Sequence, residues 1–260
     1  MNWNIACIQM DIAFGKPETN YTAAEQLIEQ AVQSKPDVLV LPELWTTGYD
    51  LTRLEEIADV EAKETISFLQ KIAKKHHVHL VGGSIAQKTK DGIYNTMLMI
   101  NNKGEFIKDY DKLHLFQLMD EHHFLQPGER DGLFTFDDKL CAGFICYDIR
   151  FPEWLRAHTT KGAEVLFVSA EWPKPRLDHW RALLISRAIE NQAYVVAVNR
   201  TGSDPNNVFA GHSLIIDPWG EIINEAGEGV EILTGTIDFT KVHEVRNKIP
   251  VFADRRPEFY

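Results

Sequence analysis

Cys146 ends an apolar run, "LCAGFI", and stands just before "YDIRFPE", where Pro152 and Glu153 supply good first-turn residues for a helix. A thiol at such a strand-to-helix turn can be pushed out of the sheet, with the following backbone N–H groups aimed at whatever it attacks. The chemistry this suits is acyl transfer through a covalent intermediate. A thiol of ordinary pKa is mostly protonated at neutral pH, so a nearby base has to complete its activation. Glu43 holds the equivalent place after "VLVLP", and a third apolar run ends near Glu171 and Trp172. In open α/β sheets, functional groups gather at these carboxyl ends of strands. Taken singly, each type has a plainer reading: a carboxylate after a strand is ordinarily a solvated loop residue, and a lone cysteine in an apolar run is ordinarily core. Cys141 and Cys146 are five apart, so a continuous strand would turn them to opposite faces and leave one of them for a given site. His114, His122, His123, His158, His179 and His212 have no decisive placement, which leaves a Cys-His pair open.

The elements that must position these groups alternate between strand-length apolar runs and segments of helical period, the pattern of a layered α/β domain. Strands are predicted at residues 3 to 10, 37 to 43, 78 to 86, 93 to 100, 133 to 136, 139 to 146 and 164 to 172. "AYVVAVN" and a hairpin in "SLIIDPWGEII" close the predicted β content. Helices are predicted over 18 to 34 (Tyr21, Ala24, Leu27, Ile28 and Ala31 inward), 61 to 75 (Ile66, Leu69, Ile72) and 176 to 192 (Leu177, Trp180, Leu184, Ala188). "NNKGE" reads as a hairpin turn in which Gly104 is free to take positive φ. Residues 111 to 132 are too polar for a core element and too long for an idle connection, and loops of that kind are often functional. With no repeat, low-complexity tract or linker, one domain over residues 1 to 260 is the simplest organisation.

Composition narrows the function. The 44% of hydrophobic residues suffices for a sizeable core, and the net charge of -11 without a Lys/Arg block argues against nucleic-acid or membrane-surface partners. The N-terminus lacks the pattern of a signal peptide and no run is long enough for a membrane span, so a cytoplasmic protein is expected. Three cysteines without a C-x-x-C suggest reduced thiols rather than a disulfide framework or a zinc knuckle. "HHVH" at 76 to 79 lacks a ligand set and reads as a solvated turn leading into a strand; no metal is expected.

"LPELWTTGY" around Glu43, "YDKLHLF" around Lys112 and "CYDIRFPE" around Cys146 resemble, in order, the three signature segments of the nitrilase superfamily of carbon-nitrogen hydrolases. The resemblance runs on through "RAIENQAYVVAVNRTGSD" and "GHSLIIDPWGE", covers almost the whole chain, and is closest to the omega-amidase branch. It implies a four-layer α-β-β-α sandwich, and a homodimer paired through one helix layer to which the tail "VFADRRPEFY" contributes. It implies a Glu43-Lys112-Cys146 triad: Glu43 the general base, Cys146 the nucleophile that forms a thioester, and Lys112 holding the oxyanion together with the backbone N–H of Tyr147. Glu121 matches a second glutamate beside the triad, placed to orient Lys112 or the water. No cofactor is implied, because the side chains complete the chemistry.

For an omega-amidase the substrate would be a small dicarboxylate monoamide such as 2-oxoglutaramate, whose free carboxylate calls for a cation. Arg150 and Arg176 are candidates, with an Arg150–Glu153 ion pair bracing the turn an equal reading of the first. Tyr49, Tyr147 and Trp172 are candidate pocket walls, although aromatic residues at strand ends are as often core. The alternatives are an N-carbamoyl amino acid hydrolase or a nitrilase of the same superfamily, or a non-catalytic binding protein on the same fold.

Overall fold

The computed structural model describes residues 1–259, so Tyr260 of the C-terminal tail lies outside the described residues. Strands β1 (Asn2–Gln9), β2 (Val38–Val40), β3 (Asp59–Val60), β4 (His79–Thr89), β5 (Gly92–Ile100) and β6 (Phe106–Asp111) lie in the first half. The second half carries β7 (Leu133–Phe136), β8 (Lys139–Ile145), β9 (Val165–Ala170), β10 (Tyr194–Asn199), β11 (Leu214–Ile216), β12 (Ile222–Glu225) and β13 (Glu231–Asp238). The α-helices are α1 (Pro17–Ala31), α2 (Leu54–Ile57), α3 (Lys63–His76), α4 (Glu121–Phe124), α5 (Pro152–Thr159), α6 (Leu177–Asn191) and α7 (Phe239–Lys248).

Two sheets result, one with the order β13-β1-β2-β4-β5-β6 and β3 beside β4, the other with the order β12-β11-β10-β9-β8-β7. Strand alternation explains why both stack between helices. In β1, Trp3, Ile5 and Cys7 join the core between the sheets, while Ala6 and Ile8 join the core beneath α1 and α3. In β2, Val38 and Val40 face the first core and Leu39 the second. A strand covered on both faces reads as a continuous apolar run, which is how "DVLVLPE" reads. Phe134, Phe136 and Cys141 meet the first sheet from the other side, and α5 and α6 cover the second sheet through Leu155, Trp180, Leu184 and Ala188. The layers are therefore α-β-β-α. The central strands β1, β2 and β4 run parallel, as do β8, β9 and β10, so their carboxyl ends fall on one edge.

Several expectations change. The run at 37 to 43 forms a ladder only over Val38–Val40, because its last residues turn away to carry Glu43. A strand absent from the sequence reading, β6, pairs with β5 as a sheet edge and exposes Phe106 and Ile107. The β content does not close with the "DPWGE" hairpin. β13 follows it and pairs antiparallel with β1, Ile5 opposite Gly235, and α7 follows in turn with Asp238 accepting the Thr240 N–H as its cap. The "NNKGE" turn has Gly104 at φ 76. In "HHVH", His76 meets Glu29 at 2.9 Å and His79 is buried in the sheet, stacked on Phe136 with Asp137 at 3.3 Å. Among the described residues no helix is long and apolar enough to cross a membrane.

Candidate active site

Three strand ends and one loop build the site. After β2 the chain keeps one more ladder bond, Leu41 N–H to the Val81 carbonyl at 3.0 Å, then turns with Leu44 at φ 41. A bulge in β4 between Val81 and Ser84 makes room for that turn. Gly83 is at φ 63 there, and a Cβ on it would lie 2.2 Å from the Pro42 carbonyl oxygen, so a side chain would displace Glu43. Ser84 caps the turn by accepting the Leu44 N–H at 3.0 Å, and the Trp45 indole donates to the Gly82 carbonyl at 2.8 Å. Ser169 of β9 donates to the Leu41 carbonyl at 2.7 Å, tying the sheets together below the site.

Lys112 follows β6, its N–H held by the Asn95 carbonyl at 2.8 Å and its own carbonyl accepting from Gly128 at 2.9 Å. Cys146 follows β8. It opens the 3-10 turn Cys146–Arg150 at φ 43, a backbone state that costs a non-glycine residue about 1–3 kcal/mol and persists only where the surroundings impose it. Asp148, fully buried, does the imposing. One of its oxygens accepts from Ile145 N–H (3.0 Å) and the Tyr110 hydroxyl (2.7 Å), the other from the His114 N–H (3.1 Å) and ring (2.8 Å). The His114 ring stacks on Phe151 at 3.6 Å, so both ends of the turn are clamped.

These elements converge. The Lys112 ammonium lies 2.7 Å from Glu43 Oε1 and 2.6 Å from Glu121 Oε1, and none of the three side chains is solvent-accessible. Tyr49 donates from behind, with Glu121 at 2.5 Å and Glu43 at 3.0 Å. Asn95 Nδ2 holds Glu43 Oε1 at 2.9 Å, the Glu171 backbone N–H holds Glu43 Oε2 at 2.8 Å, and Phe116 N–H holds Glu121 Oε2 at 2.7 Å. Burial alone would lower the Lys112 pKa, but the Glu121 and Glu43 carboxylates outweigh it and the pKa rises, so the ammonium keeps its proton. Burial, then the same two carboxylates, raises Tyr49 well above its usual value and preserves it as a donor. Burial and then Glu43 push the Cys146 thiol well above its ordinary pKa, with Lys112 opposing. Cys146 therefore rests as a neutral thiol beside Glu43. Burial also raises Glu121, against the pull of Lys112, and the cluster titrates as a unit.

Cys146 is 5% exposed, and that sliver faces a narrow pocket shared with Phe116, Tyr147, Arg150, Glu171, Trp172 and Arg176. Of the residues expected to wall a pocket, Tyr147 and Trp172 do so, whereas Tyr49 is absent from the wall and sits on the two carboxylates. Arg150 does not brace the turn through Glu153: its guanidinium lies 4.8 Å above the Trp172 ring with His179 at 3.4 Å. Arg176 lies over Phe116 at 5.4 Å. Among the described residues neither arginine makes an ion pair, so the pocket presents two cations to a ligand. Of the histidines left open by the sequence, His114 is engaged with Asp148, His158 with the Trp154 carbonyl and Gly132 N–H, and His212 with Glu225, while His122 and His123 lie ring to ring at 3.8 Å and His179 meets Arg150. The basic group bearing on the thiol is the Glu43 carboxylate.

Asn95, Asp148 and Arg200 were not singled out from sequence; Glu171, noted there as a strand end without a role, forms a buried pair with Arg200 at 3.0 Å. Arg200 follows the apolar run "AYVVAVN" as Glu171 follows "EVLFVSA", so the strand-end rule, carried on to the next run, would have found Arg200 as well.

Residues 4–247 match the family model for carbon-nitrogen hydrolases. The chain is 57% identical over 261 residues to a 2-oxoglutaramate amidase of Bacillus subtilis (strain 168), covering 100% of each. It is 32% identical to the human omega-amidase NIT2, over 100% of this chain and 97% of that protein. The crystal structure of XC1258 from Xanthomonas campestris, a CN-hydrolase superfamily protein with an arsenic adduct in its active site, superposes with a TM-score of 0.92 at 28% identity, over 98% of both chains.

Proposed function

The chain belongs to the carbon-nitrogen hydrolase family and is an amidohydrolase, and from that premise we propose that Glu43, Lys112 and Cys146 cleave a small dicarboxylate monoamide of the 2-oxoglutaramate type. The observation that carries the assignment is the contact of Lys112 with Glu43 and Glu121 at 2.7 and 2.6 Å, beside a cysteine held at positive φ over a pocket with two arginines.

Glu43 takes the thiol proton as Cys146 Sγ attacks the amide carbon. The carbonyl oxygen gains charge between the Lys112 ammonium and the Tyr147 N–H, and one such donor in a dry site is worth about 3–4 kcal/mol to the transition state. The C–N bond breaks as Glu43 returns the proton to nitrogen, ammonia leaves, and a thioester remains on Cys146. Water then attacks the thioester, giving its proton to Glu43, and the acid departs as the thiol reforms. Glu121 and Tyr49 fix Lys112 without touching the reacting atoms. Arg150 and Arg176 hold the distal carboxylate. Pairing of two chains through a helix layer, and a cytoplasmic setting, belong to the same reading.

Ammonia release over 2-oxoglutaramate, 2-oxosuccinamate, glutamine, N-carbamoyl amino acids and simple nitriles tests the substrate class. The oxo-amides should be turned over fastest. Faster release from glutamine or a carbamoyl compound would overturn the substrate assignment and leave the family standing.

A further inference from the structure

Glu171 lines the same pocket as Cys146 and is fully buried, yet only half of its carboxylate is used. Oε2 accepts from Arg200 Nη1 at 3.0 Å, while Oε1, with less than 1 Å² of accessible surface, has no hydrogen-bond partner. The group is rigidly held. Arg200, itself fully buried, is fixed by Asp11 at 2.8 Å, by the Ile12 and Thr201 carbonyls at 2.9 Å each, and by the Phe209 ring at 4.2 Å. The backbone N–H of Glu171 meanwhile donates to Glu43 Oε2, which puts the residue next to the base. A buried acceptor without a donor destabilises the free protein, and a ligand that brings a donor relieves it.

A scissile primary carboxamide brings such a donor. Its oxygen faces Lys112 and the Tyr147 N–H, and its nitrogen carries two N–H groups, of which Glu43 can serve one. We propose that Glu171 is a substrate-binding residue whose Oε1 accepts the second N–H of the reacting carboxamide, making the site selective for primary amides over the corresponding esters. No proton is transferred to Glu171: it holds the nitrogen while Glu43 protonates it and while ammonia leaves. This rests on the amidase reading of the same site.

The ionised form is the acceptor. Burial, opposed by Arg200 and reinforced by Glu43 and Asp204, raises the Glu171 pKa to about 8. Arg150, Arg176 and Cys146 share the pocket with it. Ionisation of Glu43 and Cys146 enters amide and ester cleavage alike and cancels in the ratio of the two rates.

The test compares kcat/KM for a primary amide with that for the methyl ester of the same acid, in wild type and in Glu171→Gln. Glutamine keeps the shape and can leave its oxygen on Arg200, which turns an N–H₂ donor toward the substrate nitrogen. The amide-to-ester ratio should fall at least tenfold in the variant. In wild type, which needs no mutation, the ratio should climb as pH rises through about 8, and in the variant it should be flat. Equal losses on both substrates, or a wild-type ratio independent of pH, would overturn the proposal while leaving the amidase reading intact. Wild type that cleaves the ester and releases no ammonia from the amide would refute both.

Discussion

Replacing Lys112 with methionine keeps the unbranched stem, one heavy atom shorter, and removes the only ammonium that touches Glu43 and Glu121 among the described residues. Both carboxylates are fully buried, and their lysine-bound oxygens lie within about 5 Å of each other, where two like charges repel by about 3 kcal/mol at an effective dielectric of 20. Stripping one partner from a buried ion pair costs about 3–5 kcal/mol, and that is the expected loss of unfolding free energy near neutral pH. The sign of the pH dependence follows. Without the ammonium, one carboxyl holds a proton in the folded state at a pH where it is ionised in the unfolded chain. The folded variant then binds more protons than the unfolded one, and its stability rises as pH falls toward the ordinary carboxylate range. Urea unfolding near pH 7.5 and near pH 5 measures this, and the deficit relative to wild type should shrink by about 1.4 kcal/mol or more on acidification, the value of one pKa unit. The kcat/KM for the amide should drop about 10²–10³-fold with the oxyanion donor gone. A variant as stable as wild type at both pH values, or one within tenfold of its activity, would refute the reasoning.

Asp148→Asn turns an N–H₂ toward two donors that the carboxylate now accepts; at about 1.5–3 kcal/mol for each bond to a charged group, urea unfolding should show a loss of about 3 kcal/mol or more. Because the elbow loses its clamp, kcat should also fall about 10²-fold, and an active, stable variant would remove Asp148 from that role. Arg176→Ala should raise KM about tenfold for an amide that carries a carboxylate and leave a neutral amide within twofold, read from initial rates; equal effects would take Arg176 out of substrate binding. Light scattering at micromolar concentration should report twice the chain mass, and a monomer would contradict pairing through the helix layer.

What could be read in the sequence followed from local rules. The burial of β2 and β9 on both faces shows in "DVLVLPE" and "EVLFVSAEW", and their ends bring Glu43 and Glu171 to one edge of the sheets. The turn at Cys146 is legible because an apolar strand meets Pro152 within six residues. Lys112 is different: its type and its neighbours say surface, and it is buried because carboxylates 69 and 9 residues away neutralise it. Only the resemblance pointed there. Tyr49 read as a pocket wall because nothing local reveals that Glu43 and Glu121 take its hydroxyl. β13 was missed for a related reason, since "EILTGTID" is half polar and its partner β1 lies at the other end of the chain. β6 is a polar edge whose role is to deliver Lys112, and edge strands carry little apolar signal.

The central claim is a covalent intermediate on Cys146. Rapid acid quench during turnover of 2-oxoglutaramate, followed by mass spectrometry of the proteolysed enzyme, should find the substrate acyl group, the amide less ammonia, on the peptide containing Cys146 and on neither Cys7 nor Cys141. Turnover with no adduct on that peptide, or undiminished turnover in Cys146→Ala, would contradict the account.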